Sequence, residues 1–167
     1  IVYPVVDEAW KFDPELEQVL QRSMAQVKAQ NQAQSQAQNQ AQSQAQSQIQ
    51  SEIQNESQKF LGLSIRLGGY RVVAGDTGSI SHLVSLLPPV QRGKNTYPLR
   101  LTKHWAFHTP LMKELANHGR EKLAHLPWKA PKISLVDGRG MLWRPLTTSP
   151  QELFEYTLDT QVTTPYD

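Results

Sequence analysis

Residues 60–89, FLGLSIRLGGYRVVAGDTGSISHLVSLLPP, carry the pattern that decides the fold. Leu61, Leu63, Ile65 and Leu67 alternate with small or polar residues, and a second apolar run follows from Tyr70 to Ala74. Gly68 and Gly69 separate the two runs. Alternating runs on both sides of a glycine turn predict a β-hairpin.

The segment after this hairpin predicts a short helix and a further strand. Thr77 or Ser79 is expected to start the helix, and Pro88-Pro89 ends it because proline cannot continue a helix. Its apolar face would consist of Ile80, Leu83, Val84 and Leu87. A basic, turn-rich loop then leads into a predicted strand from Tyr97 to Thr102.

A strand and a long helix precede the hairpin. Residues 1–6 are mainly β-branched and aromatic, which favours a strand. Asp13 is a good helix cap, and Pro14 suits the first turn. The residues expected to face the core are Leu16, Val19, Leu20, Met24 and Val27.

The resulting order is strand, helix, strand, strand, helix, strand. This is the split βαβ pattern of a ferredoxin-like unit, with four strands in one sheet and both helices on one face. We therefore predict a ferredoxin-like subdomain over residues 1–104, within an α/β chain that carries this α+β unit.

A glutamine-rich tract interrupts that unit at about residues 29–58. Every even position from Gln30 to Gln50 is glutamine, and the odd positions are chiefly Ala, Ser and Asn, so no apolar stripe of helical period exists. Ala and Gln tolerate a helix, but the tract has almost nothing to bury, so both an extended helix and disorder are open. A variable surface insertion is favoured over an interaction segment, because long insertions cost little closure entropy.

Charge and composition exclude several classes of function. The net charge is only +2, with Lys and Arg scattered among acidic residues, so nucleic acid is not an expected partner. The chain has no cysteine, which excludes disulfides and thiolate chemistry and is compatible with the cytoplasm. No apolar run approaches the roughly 20 residues of a membrane helix, so no membrane partner is expected.

The region beyond residue 104 predicts further helices and a turn. Thr109 and Pro110 are expected to cap a helix from Pro110 to Leu126, with apolar residues at Leu111, Leu115, Leu123 and Leu126. A short strand over residues 132–136 and a turn at Asp137-Gly138 should follow. Ser149 and Glu152 form a capping box for a last helix over about residues 151–158.

His108 is the residue best suited to chemistry in this region. It lies in Ala106-Phe107-His108-Thr109-Pro110-Leu111-Met112, at a strand-to-helix junction, and histidine exchanges protons near neutral pH. A packed or capping role is the simpler alternative for a single histidine. The spacing of His104 and His108 also suits two metal ligands on a helix, but Pro110 places the helix start after both, so no metal site is predicted.

Residues 106–112 resemble the histidine motif of the malonyl/acyl-CoA:acyl-carrier-protein acyltransferases. The other segments that resemble the malonyl-transferring members of this family are residues 1–10, 67–70, 87–93 and 136–140. The resemblance implies a ferredoxin-like subdomain inserted in an α/β-hydrolase-like core, to which residues 105–167 would return. It also implies a cytoplasmic enzyme of fatty-acid or polyketide synthesis, with malonyl-CoA and acyl carrier protein as substrates and no cofactor.

The same resemblance assigns roles to two residues. His108 would be the general base of a serine–histidine ping-pong mechanism, and the main-chain carbonyl of Gln161, in Gln161-Val162-Thr163-Thr164-Pro165, would orient it. The sequence has no Gly-x-Ser-x-Gly elbow to supply the serine. We therefore expect an inactive fragment of the enzyme. The alternative is a non-enzymatic ferredoxin-like interaction protein with a glutamine-rich arm.

Overall fold

A three-stranded antiparallel sheet forms the centre of the N-terminal part. The computed structural model describes residues 1–44 and 59–167. Strands β1 (Val2–Pro4), β2 (Leu61–Leu67) and β3 (Tyr70–Gly75) lie in the order β1-β3-β2. The predicted hairpin is confirmed, since Leu67 pairs with Tyr70 across a turn in which Gly68 has a φ of 51°.

The predicted strand from Tyr97 to Thr102 is wrong. Strands β4 (Val90–Arg92) and β5 (Asn95–Tyr97) form a separate two-stranded hairpin, and only Leu99 then reaches the central sheet. Leu99 exchanges two backbone hydrogen bonds with Val2, of 2.8 and 2.9 Å. The next hydrogen-bonded pair along this ladder would need an N–H from Pro4 of β1, and proline has none, so the pairing does not continue towards Tyr97.

Helix α1 (Pro14–Gln44) begins as predicted and continues into the glutamine-rich tract. The Asp13 carboxylate accepts from the amides of Glu15 and Leu16 at 2.9 and 3.2 Å. The five core-facing residues are buried or half-buried, whereas residues 32–38 are all exposed. The tract is therefore helical as far as Gln44, and its remainder to residue 58 lies outside the described residues.

Helix α2 (Thr77–Leu86) starts at Thr77, one of the two predicted starts, and Asp76 is its N-cap. The Asp76 carboxylate accepts from the amide of Ser79 at 2.9 Å and from that of Phe60 at 2.8 Å. These bonds tie the helix start to the beginning of β2. The two helices and the sheet share one core, which includes Tyr3, Leu20, Met24, Val27, Leu61, Val73, Ile80 and Leu83.

The C-terminal part consists of short elements. A 3₁₀ turn (Pro110–Met112) precedes α3 (Lys113–Leu123), so the single helix predicted over residues 110–126 is wrong at both ends. Strands β6 (Leu135–Val136) and β7 (Leu142–Trp143) pair around the predicted turn. The predicted last helix is α4 (Pro150–Glu155), which continues through a π turn (Tyr156–Thr160) into α5 (Gln161–Thr163).

The apolar series predicted for α3 lies at the surface. Leu115 and Leu126 are each 44% exposed, and Leu111 and Leu123 are each 36% exposed. Met112 and Ala116 are the buried residues at this helix. The chain as a whole is an α+β protein with small antiparallel sheets, and no helix among the described residues is long and apolar enough to cross a bilayer.

Candidate functional site

His108 lies in an irregular turn and has an uncommon backbone conformation. Its φ is 62°, in the left-handed region that residues with a Cβ seldom occupy. Such a conformation costs of order 1 kcal/mol or more and persists only where the surroundings hold it. The contacts of this turn therefore decide where the imidazole points.

The peptide group between Phe107 and His108 is held at both of its polar atoms. The Ser64 hydroxyl, from β2, donates to the Phe107 carbonyl at 2.9 Å. The His108 amide donates to the Val162 carbonyl, in α5, at 2.8 Å. The turn is thus fixed between the central sheet and the last helix.

The imidazole of His108 is oriented by the carbonyl of Gln161, the residue before Val162 in α5. Nδ1 lies 2.6 Å from the main-chain oxygen of Gln161. A carbonyl oxygen only accepts, so Nδ1 carries the proton and Nε2 of the neutral ring has a free lone pair. The side chain is half-buried, and Nε2 makes no hydrogen bond within the described part of the chain. Nε2 is therefore free to accept a proton.

The Tyr166 ring packs against one side of this imidazole. The two rings meet edge to face, with centroids 4.4 Å apart. The Tyr166 backbone is tied to β2, since its carbonyl accepts from the Arg66 amide at 2.9 Å and its amide donates to the Ser64 carbonyl at 3.3 Å. A Cβ on Gly138 would lie only 2.8 Å from this tyrosine ring, so only glycine permits the close approach of the β6–β7 turn.

Thr109 is the N-cap residue of the 3₁₀ turn, as predicted, but its side chain makes no capping hydrogen bond. Its hydroxyl donates instead to the Ala106 carbonyl at 2.6 Å and closes the turn that contains His108. The side chain is fully buried, and the helix start receives no side-chain cap.

Ion pairs stabilise the π turn that directly precedes Gln161. Asp159 lies 2.8 Å from the Lys113 ammonium and 3.3 Å from the Arg120 guanidinium, which also lies 3.2 Å from Glu155. These pairs join α3 to the residues directly before Gln161. π turns within helices occur frequently at functional sites, since the extra residue changes where the next carbonyl points.

The two residues assigned from the family resemblance are thus in contact. His104 and His108 do not lie on a shared helix, so their spacing does not bring both imidazoles to one helix face as two metal ligands would require. No group of three potential metal ligands occurs in the described ranges. A cleft of about 290 Å³ runs beside the turn and is lined by Ser64, Arg100, His104 and Trp105, among others, but not by His108.

Three further contributors were not foreseen from the sequence: Ser64, Val162 and Tyr166. Val162 contributes only a backbone carbonyl, which no side-chain pattern reveals. Tyr166 directly follows the Gln161–Pro165 segment, and this nearness is the one signal that pointed to it.

Asp137 organises the β6–β7 turn next to this site. Its side chain is 2% exposed and accepts from the Arg139 guanidinium at 2.6 Å, from the Trp143 indole at 3.1 Å and from the amides of Arg139 and Met141 at 2.8 and 3.0 Å. Burial opposes its ionisation, but these donors hold the pKa of the carboxyl below its usual value. The carboxylate is therefore the stable form in the folded chain.

Replacing this carboxylate should give a pH-dependent loss of stability. Because the pKa of Asp137 is depressed in the fold, its contribution is complete above the ordinary carboxyl pKa and is lost as pH falls through the folded value. We expect Asp137→Asn to lower the free energy of unfolding by about 1–3 kcal/mol near pH 7. Thermal unfolding should show this difference shrinking towards about pH 3. Asp167→Asn, at a 70% exposed side chain, is the control, and an equal loss at both pH values would contradict the assignment.

Comparison with protein-family models, with curated proteins and with solved structures finds no match to this chain.

Proposed function

We propose that this chain is the histidine-bearing part of an acyltransferase that moves a malonyl group from CoA to the phosphopantetheine thiol of acyl carrier protein. The observation that carries the proposal is the hydrogen bond between His108 Nδ1 and the Gln161 carbonyl, 2.6 Å long. It gives a residue within the family-like segment 106–112 the tautomer that a general base requires. The acyl group and the acceptor follow from the family resemblance.

The proposed reaction has two half-reactions. A serine hydroxyl attacks the malonyl thioester while His108 Nε2 takes its proton, and the proton then passes to the departing CoA thiolate. In the second half, His108 deprotonates the carrier thiol, which attacks the malonyl ester, and the proton returns to the serine. The resemblance implies that this serine belongs to polypeptide outside this chain. The Gln161 carbonyl stabilises the imidazolium that forms in each half.

The strand order supports the part of the proposal that assigns residues 1–104 to a ferredoxin-like subdomain. Leu99 lies beside β1, so the sheet runs in the order Leu99, β1, β3, β2, and helices α1 and α2 share its core. This is the arrangement expected of a split βαβ unit, with a fourth strand reduced to one residue pair. The cytoplasm is the proposed compartment, since that is where malonyl-CoA and carrier protein occur in the family.

Exposed apolar side chains support the assignment of residues 105–167 to a larger core. Besides the exposed leucines at and around α3, Val136 is 71% exposed and Leu146 is 98% exposed. Large apolar side chains that a folded chain leaves exposed are candidates for contacts with further polypeptide. In an α/β-hydrolase-like acyltransferase, such side chains would pack against the remainder of that core.

A transfer assay tests the function. The polypeptide that contains both this chain and a Gly-x-Ser-x-Gly serine should transfer malonyl from malonyl-CoA to holo-acyl carrier protein, whereas the 167-residue chain alone should not. Turnover by the isolated chain would show that a nucleophile within it had been overlooked. A folded serine-bearing polypeptide without turnover would favour the non-enzymatic interaction protein.

A further inference from the structure

Ser64 occupies a β-bulge at the point where the sheet meets the histidine turn. Leu63 pairs with Val73, and Ile65 pairs with Val72, so Ser64 is the extra residue without a partner in β3. A bulge bends its strand and re-aims the side chain of the extra residue, and such bulges are frequent beside active sites. Ser64 is 4% exposed, so its polar groups must be satisfied within the protein.

Two polar groups of Ser64 bond to the elements around His108. The hydroxyl donates to the Phe107 carbonyl at 2.9 Å, and the carbonyl accepts from the Tyr166 amide at 3.3 Å. Phe107 directly precedes the histidine, and the Tyr166 ring lies against the imidazole. One bulged residue therefore connects the sheet to two of the elements that surround this ring.

The bond to Phe107 acts on His108 through a rigid unit. The Phe107 carbonyl and the His108 amide belong to one planar peptide group. Ser64 holds the carbonyl end, and the Val162 carbonyl holds the amide end at 2.8 Å. Rotation of this plane would change φ of His108 from its left-handed value and swing Nδ1 away from Gln161, which is adjacent to Val162.

We propose that Ser64 is a positioning residue, which fixes the histidine turn through the Phe107 carbonyl so that His108 Nδ1 donates to the Gln161 carbonyl. Its importance for catalysis rests on the proposed function, but the geometric claim does not. Alanine at this position would leave the Phe107 carbonyl without its side-chain donor. Cysteine is close in size and offers only a weak donor, so it should have an intermediate effect.

The tautomer of His108 is the readout that separates positioning from a purely structural role. Long-range ¹H–¹⁵N NMR of the full 167-residue chain distinguishes a ring protonated at Nδ1 from one protonated at Nε2. We expect the Nδ1–H form to dominate in the unsubstituted chain. In Ser64→Ala the ratio of the Nδ1–H to the Nε2–H form should fall about threefold or more, as the loss of one buried hydrogen bond would produce.

Ser79→Ala is the matched control. Ser79 is also buried, at 3% exposure, but it lies at the start of α2, far along the chain from the histidine turn. Its hydroxyl accepts from the Asn31 side-chain amide on α1 at 2.9 Å and donates to the Asp76 carboxylate. This variant should lose stability while the His108 tautomer ratio stays unchanged. If Ser79→Ala shifted the ratio as much as Ser64→Ala, the effect would reflect general destabilisation and the proposal would be overturned.

An unchanged tautomer ratio in folded Ser64→Ala overturns the proposal. If that variant does not fold, Ser64→Cys replaces it: a partial shift supports the positioning role, and an unchanged ratio overturns it. Neither result depends on turnover. Failure of the malonyl transfer assay would contradict the proposed function alone, and failure here would contradict the role of Ser64 alone.

Discussion

His108→Ala should lower kcat for malonyl transfer by a factor of roughly 10²–10⁴ in the serine-bearing polypeptide, the range expected when a general base is removed. The reason is the position of Nε2, which is free to accept a proton while Nδ1 is held by the Gln161 carbonyl at 2.6 Å. Steady-state rates with malonyl-CoA and holo-acyl carrier protein would measure the effect. The KM for malonyl-CoA should change much less, because the base acts on the serine proton and not on the bound thioester.

His118→Ala is the control for this substitution. His118 lies on α3 with its side chain exposed, so its removal should leave both turnover and folding unchanged. Thermal unfolding of His108→Ala should confirm that the fold persists, since the imidazole is only half-buried. Turnover of folded His108→Ala within about twofold of the unsubstituted protein would exclude a role for this residue as general base.

Leu20→Ala should lower the free energy of unfolding by about 2–5 kcal/mol. Leu20 is fully buried on α1 and belongs to the core shared with α2 and β3, so its truncation leaves a cavity that the surrounding residues cannot fill completely. Urea unfolding followed by circular dichroism would measure the loss.

The matched control for this substitution is an exposed residue of the same helix. Gln26 is exposed, so Gln26→Ala should change the stability by no more than about 0.5 kcal/mol. A loss below about 1 kcal/mol for Leu20→Ala would show that α1 does not pack into the core as described.

The local signals in the sequence predicted the hairpin and α1 well because each of these elements contains residues that fix where it turns or begins. Gly68 provides the turn, and Asp13 provides the cap, and both act through neighbouring backbone groups. The fourth strand failed because of a residue on its partner strand. Pro4 of β1 has no N–H to extend the pairing beyond Val2 and Leu99, and a count of apolar residues from Tyr97 to Thr102 does not weigh this missing donor.

The histidine site was predicted only in part. His108 and Gln161 are 53 positions apart, and only the family resemblance brought them together before the structure did. Ser64 was missed because strict alternation places it on the face opposite Leu63 and Ile65, as a small residue with no role. The bulge breaks that alternation: Ser64 is buried, and Leu67 is 58% exposed.

Intact-mass spectrometry of the serine-bearing polypeptide after incubation with malonyl-CoA, without carrier protein, tests the acyltransferase proposal most directly. A ping-pong mechanism predicts a mass increase of one malonyl group, which disappears when holo-acyl carrier protein is added. The His108→Ala variant should remain almost unloaded over the same time. A folded, unsubstituted polypeptide that gains no malonyl group, or a His108→Ala variant that loads at the same rate, would contradict the account.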